Sequence, residues 1–136
     1  MKLLILYVDK FAYKTAVKNL ESVDLYEKSD EVRDAVVAFI HLEAEDEEHI
    51  SKAETRLIKQ LKWAARKNET KRILLHSFAH LSTSKADAEV TKELLDRTEA
   101  RLSASGYETG QTPFGYFLDL DIQAPGKSLA RIFKDL

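Results

Sequence analysis

The chain has 136 residues, of which 44% are hydrophobic and 32% are charged, a balance typical of one globular domain with a core of its own. It contains no cysteine, which excludes disulfides, thiolate metal sites and a cysteine nucleophile. The formal net charge of −2 argues against a stand-alone nucleic-acid binder, which usually carries a basic excess. It does not argue against an appended domain that touches only the end of an RNA. Since only four glycines and two prolines are present, we expect a single domain, 1–136, without a flexible linker.

Two segments are predicted to be buried strands. Residues 2–8 and 35–42 are apolar on both faces, as central strands covered on both sides require. Neither run is long enough to cross a bilayer and no small-residue cleavage site follows the first, so we expect a cytoplasmic protein. The segment between them is ambiguous, because Phe11 and Tyr13 alternate as in a strand whereas residues 15–23 could form a short helix.

After the second strand the apolar period becomes helical. Residues 46–68 carry an apolar stripe with acidic residues at its start and basic residues at its end, which predicts a helix. Residues 72–77 are predicted to form a third buried strand, and residues 87–105 a second helix that ends at Gly106. The strand–helix–strand unit over 35–77 predicts a right-handed crossover between two strands of one sheet.

The last part of the chain is predicted to hold one more strand and a terminal helix. Residues 116–122 alternate as a strand does, and this strand could pair antiparallel. Pro125 and Gly126 then turn the chain, and residues 128–136 are expected to form a short helix. The inward-facing residues of that helix would be Leu129, Ile132 and Phe133. The fold class is therefore α/β, with a mixed β-sheet of four or five strands and two main helices.

Common site motifs are absent from the sequence. No glycine-rich phosphate loop, His-Glu-x-x-His zinc motif or Gly-x-Ser-x-Gly elbow occurs. His76 and His80 are four residues apart, but this spacing straddles a strand end and does not predict a metal pair.

Two other stretches are more informative. The first, 77–82, leaves the end of a buried strand, where α/β domains place ligands. The second, 112–117, is a turn that leads into an aromatic-rich strand. Taken alone, each has a purely structural interpretation, and His80 would more often be a loop histidine than a catalyst.

The two stretches together resemble one family. Phe-Ala-His-Leu-Ser at 78–82, followed by Pro-Phe-Gly-Tyr at 113–116, resembles the archaeal editing domain of threonyl-tRNA synthetase. Asp9 after the first strand, 37–40 and the Leu-Ala pair at 129–130 fit in the same order. The resemblance covers essentially the whole chain, and it implies a D-aminoacyl-tRNA deacylase-like fold.

The resemblance also implies partners and a reaction. The family usually forms a homodimer and binds the 3′ end of seryl-tRNA(Thr), whose ester it hydrolyses to remove misattached serine. We therefore expect an aminoacyl-tRNA deacylase module, excised from a longer synthetase chain. Editing needs no cofactor or metal, whereas the catalytic body of a full-length synthetase uses ATP and zinc.

The resemblance places substrate-binding residues at the two motifs, and His80 near the reacting ester. The seryl pocket is implied to be lined by Leu42, Ser77, Phe78, Ala79, Tyr116 and Phe117. Two further pocket positions depart from the family pattern, because Leu118 stands where a lysine is common and Arg131 where a glutamate is common. Lys127 and Arg131 are the nearest candidates to substitute, so we include Lys127 with His80 as a candidate catalytic residue.

The departures leave the function open between two main hypotheses. In the first, the vicinal 2′-hydroxyl of the tRNA and main-chain N–H groups perform most of the chemistry, and the domain is active. In the second, the domain is a degenerate relative that only dimerises or docks on RNA. A ligand-binding domain unrelated to tRNA would require the paired motifs to be a coincidence.

Overall fold

The computed structural model describes residues 1–18, 20 and 28–136. Over these residues the chain forms a mixed sheet and two α-helices, which confirms the predicted fold class, but the sheet has six strands and not the expected four or five. The elements are β1 (Lys2–Lys18), β2 (Ser29–His41), α1 (Ile50–Lys67), β3 (Arg72–Ser77), α2 (Ala88–Ala104), β4 (Glu108–Gln111), β5 (Tyr116–Gln123) and β6 (Arg131–Asp135). Short 3₁₀ turns at Ala44–His49 and Ser128–Ala130 precede α1 and β6. Neither described helix is both long and apolar enough to cross a membrane.

The long strand β1 organises the sheet. On one side it pairs antiparallel with β2. On the other side its first part, Lys2–Leu6, pairs with β6, and its later part, Lys10–Lys18, pairs with β5. Beyond β2, strands β3 and β4 follow in parallel. The structure thus confirms that the strands of the predicted strand–helix–strand unit share one sheet, and that the late strand pairs antiparallel.

Both helices pack on one face of the sheet. Their buried apolar residues, among them Leu57, Leu61 and Leu94, form one core with alternate residues of the strands. The helices are also joined by a buried carboxylate, since Glu54 on α1 accepts from Arg97 at 2.8 Å and from Arg101 at 2.6 Å on α2. These ion pairs fix the second half of α2 against α1.

The opposite face of the sheet carries a second apolar cluster, centred on Phe11, Phe39 and Leu74. Leu118 of β5 packs against it. Further along β5, Leu120 is 40% exposed and Ile122 is 36% exposed, so apolar surface continues to the edge of this face.

One ambiguity is resolved in part, and one sequence prediction about element type is wrong. Residues 15–18 continue β1, so the helical alternative does not hold for them, and residues 19 and 21–23 of that segment lie outside the described residues. The predicted terminal helix over 128–136 is instead a 3₁₀ turn followed by β6. The start of β1 would otherwise leave its backbone groups unpaired on one side, and β6 pairs with them.

The predicted inward-facing residues of that segment change accordingly. Along β6 half-buried and exposed residues alternate, as a strand dictates. Ile132 packs against the helix-side core, whereas Leu129 is 38% exposed and Phe133 is 55% exposed.

Candidate functional site

A cavity of about 310 Å³ lies across the carboxyl ends of the parallel strands β2 and β3. Three chain segments form most of its lining: 40–42 at the end of β2, 76–80 at the end of β3, and 113–118 leading into β5. Ligands bind at this edge in open α/β sheets, and the volume is within the range of small-molecule pockets.

The segment after β3 is held at the cavity by one hydrogen bond and by aromatic packing. The Phe78 N–H donates to the Ile40 carbonyl at 3.0 Å, which extends the ladder one residue beyond the strand. The Phe78 ring lies edge-on to Phe39, with 5.1 Å between centroids. In the described part of the chain, the N–H groups of the next two residues, Ala79 and His80, have no acceptor. Two adjacent donors are therefore available to a bound molecule at the cavity.

The His80 ring lies between two aromatic rings. Its centroid is 5.0 Å from that of Phe78, and 6.3 Å from that of Phe117 with nearly parallel planes. These contacts join the two motif segments, which are far apart in sequence, across the cavity. The side chain is exposed and can meet a ligand.

A second histidine, His76, lines the same cavity but is buried. Its Nδ1 lies 2.9 Å from the Thr112 hydroxyl oxygen, and the centroid of the Phe39 ring lies 4.9 Å from that of its own ring. Burial lowers the pKa of His76 to about 4, so the ring is neutral at pH 7. In the sequence His76 is distinguished only by its four-residue spacing from His80, and no signal marks it as part of a pocket.

A third histidine, His41, ties down the loop that follows the cavity segment. Its Nδ1 accepts from the Leu81 N–H at 2.9 Å, so its Nε2 carries the proton and donates to the Ser84 carbonyl at 2.6 Å. The side chain is only 1% exposed. His41 therefore fixes the course of residues 81–84, although nothing in the sequence distinguishes it from an ordinary core histidine.

Glu43 holds the same loop from a second point. It accepts from the Ser82 hydroxyl at 2.7 Å and pairs with the Met1 ammonium at 2.9 Å. The Ser82 hydrogen bond, helped by the nearby ammonium, lowers the pKa of Glu43 to about 2. The carboxylate is therefore ionised, and the loop remains attached, throughout the neutral and mildly acidic range.

The segment before β5 depends on a glycine. Gly115 has φ of 84°, a left-handed conformation that glycine adopts without strain. Its carbonyl accepts from the Leu20 N–H at 3.2 Å. This turn brings Tyr116 and Leu118 to the cavity, while Phe117 remains 46% exposed at its rim.

The structure brings most of the predicted site residues to this one cavity. Those lining it are His80 together with Leu42, Ser77, Phe78, Ala79, Tyr116, Phe117 and Leu118. Lys85 and the start of α2 complete the wall and were not predicted.

Lys127 and Arg131 do not line the cavity. The Lys127 ammonium lies 5.0 Å above the centroid of the Tyr7 ring, and Arg131 donates to the Pro125 carbonyl at 2.8 Å. Since neither is among the residues that line the cavity, we assign neither of them to the site.

Comparison with known proteins identifies the sequence family. The model of the archaea-specific editing domain of threonyl-tRNA synthetase matches residues 1–136. Threonine–tRNA ligases from Pyrococcus furiosus and Thermococcus kodakarensis are 30% and 28% identical over 139 residues, and one from Methanosphaera stadtmanae is 27% identical over 138. Each match covers 100% of this chain but 22% of the ligase, so the chain spans about a fifth of the length of these relatives.

Comparison with solved structures identifies the fold. The c-Myc DNA Unwinding Element Binding Protein superposes with a TM-score of 0.72 at 12% identity, over 100% of this chain and 99% of that one. At this identity the likeness concerns architecture alone, and it confirms the D-aminoacyl-tRNA deacylase-like fold.

Proposed function

The chain belongs to the archaea-specific editing domains of threonyl-tRNA synthetase, and from this premise we propose that it hydrolyses the ester of L-seryl-tRNA(Thr) and spares threonyl-tRNA(Thr). The observation that carries the proposal is the single cavity that both family motifs line, at residues 78–80 and 113–116. Editing is needed because serine differs from threonine by one missing methyl, which gives the aminoacylation site only about 1–3 kcal/mol of discrimination.

In the proposed reaction, water adds to the ester carbonyl and the acyl–oxygen bond to the 3′-oxygen breaks. The products are serine and a tRNA whose 3′-oxygen has gained a proton. The adjacent N–H groups of Ala79 and His80 are suited to stabilise the oxyanion, because they have no acceptor in the described part of the chain. The vicinal 2′-hydroxyl of the tRNA orients the water, so no cofactor or catalytic triad is required.

Threonine is excluded, in this proposal, by the apolar wall of the cavity. Leu42 is 3% exposed and sits at the end of β2, and Phe117 and Leu118 face the cavity from β5. Leu42 and Leu118 are held by packed surroundings, so they cannot move aside without cost to accept the extra methyl.

A degenerate, non-catalytic domain is the second candidate, and one observation favours it. Leu118 lines the cavity where the family commonly has a lysine, and Arg131, in the place of the family's glutamate, does not reach the cavity. If those two side chains are indispensable in the family, this chain binds without hydrolysing.

The proposed partners are the 3′ end of seryl-tRNA(Thr), the rest of a threonyl-tRNA synthetase and a second copy of the domain, in the cytoplasm. The apolar surface that continues along β5 through Leu120 and Ile122 supports a homodimer, since exposed apolar patches commonly mark interaction surfaces.

The test is ester loss from seryl-tRNA(Thr) under single-turnover conditions. We expect the wild-type chain to be active and His80→Ala to be slower, because the exposed His80 ring borders the cavity next to the N–H groups of Ala79 and His80. The exposed His49, outside the cavity, provides the matched control, so His49→Ala should keep the wild-type rate. An inactive wild type that gains hydrolysis on Leu118→Lys would instead establish the degenerate candidate.

A further inference from the structure

His76 is a buried polar group in an otherwise aromatic part of the cavity wall. It lies on β3, on the sheet face of the second apolar cluster, with the rings of Phe11, Phe39 and Phe78 within 6.0 Å between centroids. Its side chain is only 6% exposed, yet it borders the cavity. A polar ring buried in such surroundings costs stability unless its nitrogens find partners.

Among the residues that the structure describes, one of its two ring nitrogens has a hydrogen-bond partner. Nδ1 is paired with the hydroxyl of Thr112, which is itself fixed by the hydrogen bond from its N–H to the Leu75 carbonyl at 3.0 Å. For Nε2, no hydrogen-bond partner exists among the residues that the structure describes. Nε2 is therefore the nitrogen that remains for a molecule bound in the cavity.

We propose that His76 Nε2 hydrogen-bonds the side-chain hydroxyl of the acyl group held in the cavity. This assignment rests on the proposed editing function and names what the site reads in its substrate, a hydroxylated acyl group. Either neutral tautomer of the ring serves, because a hydroxyl both donates and accepts. His76 then acts as a specificity-determining residue, while the apolar wall acts only against added bulk.

The consequence is discrimination against acyl groups that lack the hydroxyl. An alanyl group fits wherever a seryl group fits, so shape cannot reject it. When a buried polar group of a site hydrogen-bonds a substrate hydroxyl, an analogue without that hydroxyl leaves the group unpaired. The site therefore discriminates against the analogue. Because burial keeps the His76 ring neutral, the hydrogen bond joins two uncharged groups. For such a bond we expect about tenfold discrimination between the seryl and the alanyl ester.

The experiment compares kcat/KM for seryl-tRNA(Thr) and alanyl-tRNA(Thr). For the wild type we expect the seryl ester to be favoured by about tenfold or more. His76→Phe keeps an aromatic ring of similar shape but no nitrogen, so it should bring the two values together, by lowering the seryl value and by raising the alanyl value, since no buried nitrogen is then left unpaired. His49→Phe, at an exposed histidine outside the cavity, should change neither.

Two results would overturn the inference: equal values for both esters in the wild type, or an equal loss for both in His76→Phe. If His76→Phe does not fold, Thr112→Val is tested in its place. This variant removes the hydroxyl that pairs with Nδ1, so the His76 ring is no longer held in one orientation and the ratio of the seryl to the alanyl value should fall. An unchanged preference in a folded Thr112→Val chain then counts against the inference.

The contact between His76 and the hydroxyl can also be tested without hydrolysis. If the wild type cleaves neither ester, the proposed function has failed, and binding of amide-linked seryl and alanyl adenosine is measured by calorimetry instead. Tighter binding of the seryl amide, lost in His76→Phe, supports the hydroxyl contact in a non-catalytic site. Equal affinities, or binding of neither amide, contradict it.

Discussion

Burial of the neutral His76 ring makes a defined part of the folding stability depend on pH. Its pKa is about 4 in the folded chain because of burial, against an ordinary value of 6.5. Between these values the unfolded chain binds the proton more strongly, so the free energy of unfolding falls as the pH falls from 6.5 to 4. The difference of about 2.5 pKa units corresponds to about 3 kcal/mol lost by pH 4. At neutral pH the penalty is absent.

Urea unfolding at pH 7.0 and pH 4.5 measures this loss, with His76→Phe as the comparison. Both proteins keep every carboxylate and every other histidine, so their common titrations cancel in the difference. The wild type should lose about 2 kcal/mol more than His76→Phe between the two pH values. If both lose the same amount, His76 is not a neutral buried ring, and the argument from its environment is refuted.

Three further predictions concern the loop and the wall of the cavity. His41→Leu removes two hydrogen bonds to the loop from a buried position and should lower the free energy of unfolding by about 2–4 kcal/mol in urea titration; a loss below about 1 kcal/mol would contradict its tethering role. Because the hydrogen bond from Ser82 lowers the pKa of Glu43 to about 2 from 4.5, its contribution is full above pH 4.5 and is lost as the pH falls towards 2. Because solvent screens this partly exposed carboxylate, Glu43→Gln should be less stable at pH 6 by only about 1–2 kcal/mol, and should lose less than the wild type between pH 4.5 and 2.5 in thermal scans. Leu42→Ala or Phe117→Ala should permit hydrolysis of threonyl-tRNA(Thr), and variants that spare it while clearing seryl-tRNA(Thr) would show that the threonine barrier lies elsewhere.

The elements that the sequence predicts well are those with only one way to bury their apolar residues. Residues 35–42 and 72–77 place apolar residues on both faces, as strands inside a sheet require, and the apolar stripe on α1 favours a helix. The end of the chain has no such restriction. Leu129, Ile132 and Phe133 fit a helical face, and only the free edge of β1, a long-range feature, decides in favour of β6.

In the candidate site, too, the sequence predicts some residues and not others. The residues at 77–80 and 116–118 follow from a motif at a strand end and from the family resemblance, and they line one cavity. Lys127 and Arg131 are predicted as substitutes because both belong to the closing segment of the chain, but Lys127 lies over the Tyr7 ring and Arg131 donates to the Pro125 carbonyl. The structural roles of His41 and His76 depend on partners about 40 residues away, which no local pattern reveals.

The central claim is that this chain removes serine, and not threonine, from threonine tRNA. Its most direct test is kcat/KM of the wild-type chain, verified as folded, for seryl-tRNA(Thr) and threonyl-tRNA(Thr) side by side. If the cavity wall rejects one methyl, kcat/KM should be higher for seryl-tRNA(Thr) than for threonyl-tRNA(Thr) by about 10- to 200-fold. Equal rates for the two esters, or no hydrolysis of either, would contradict the claim.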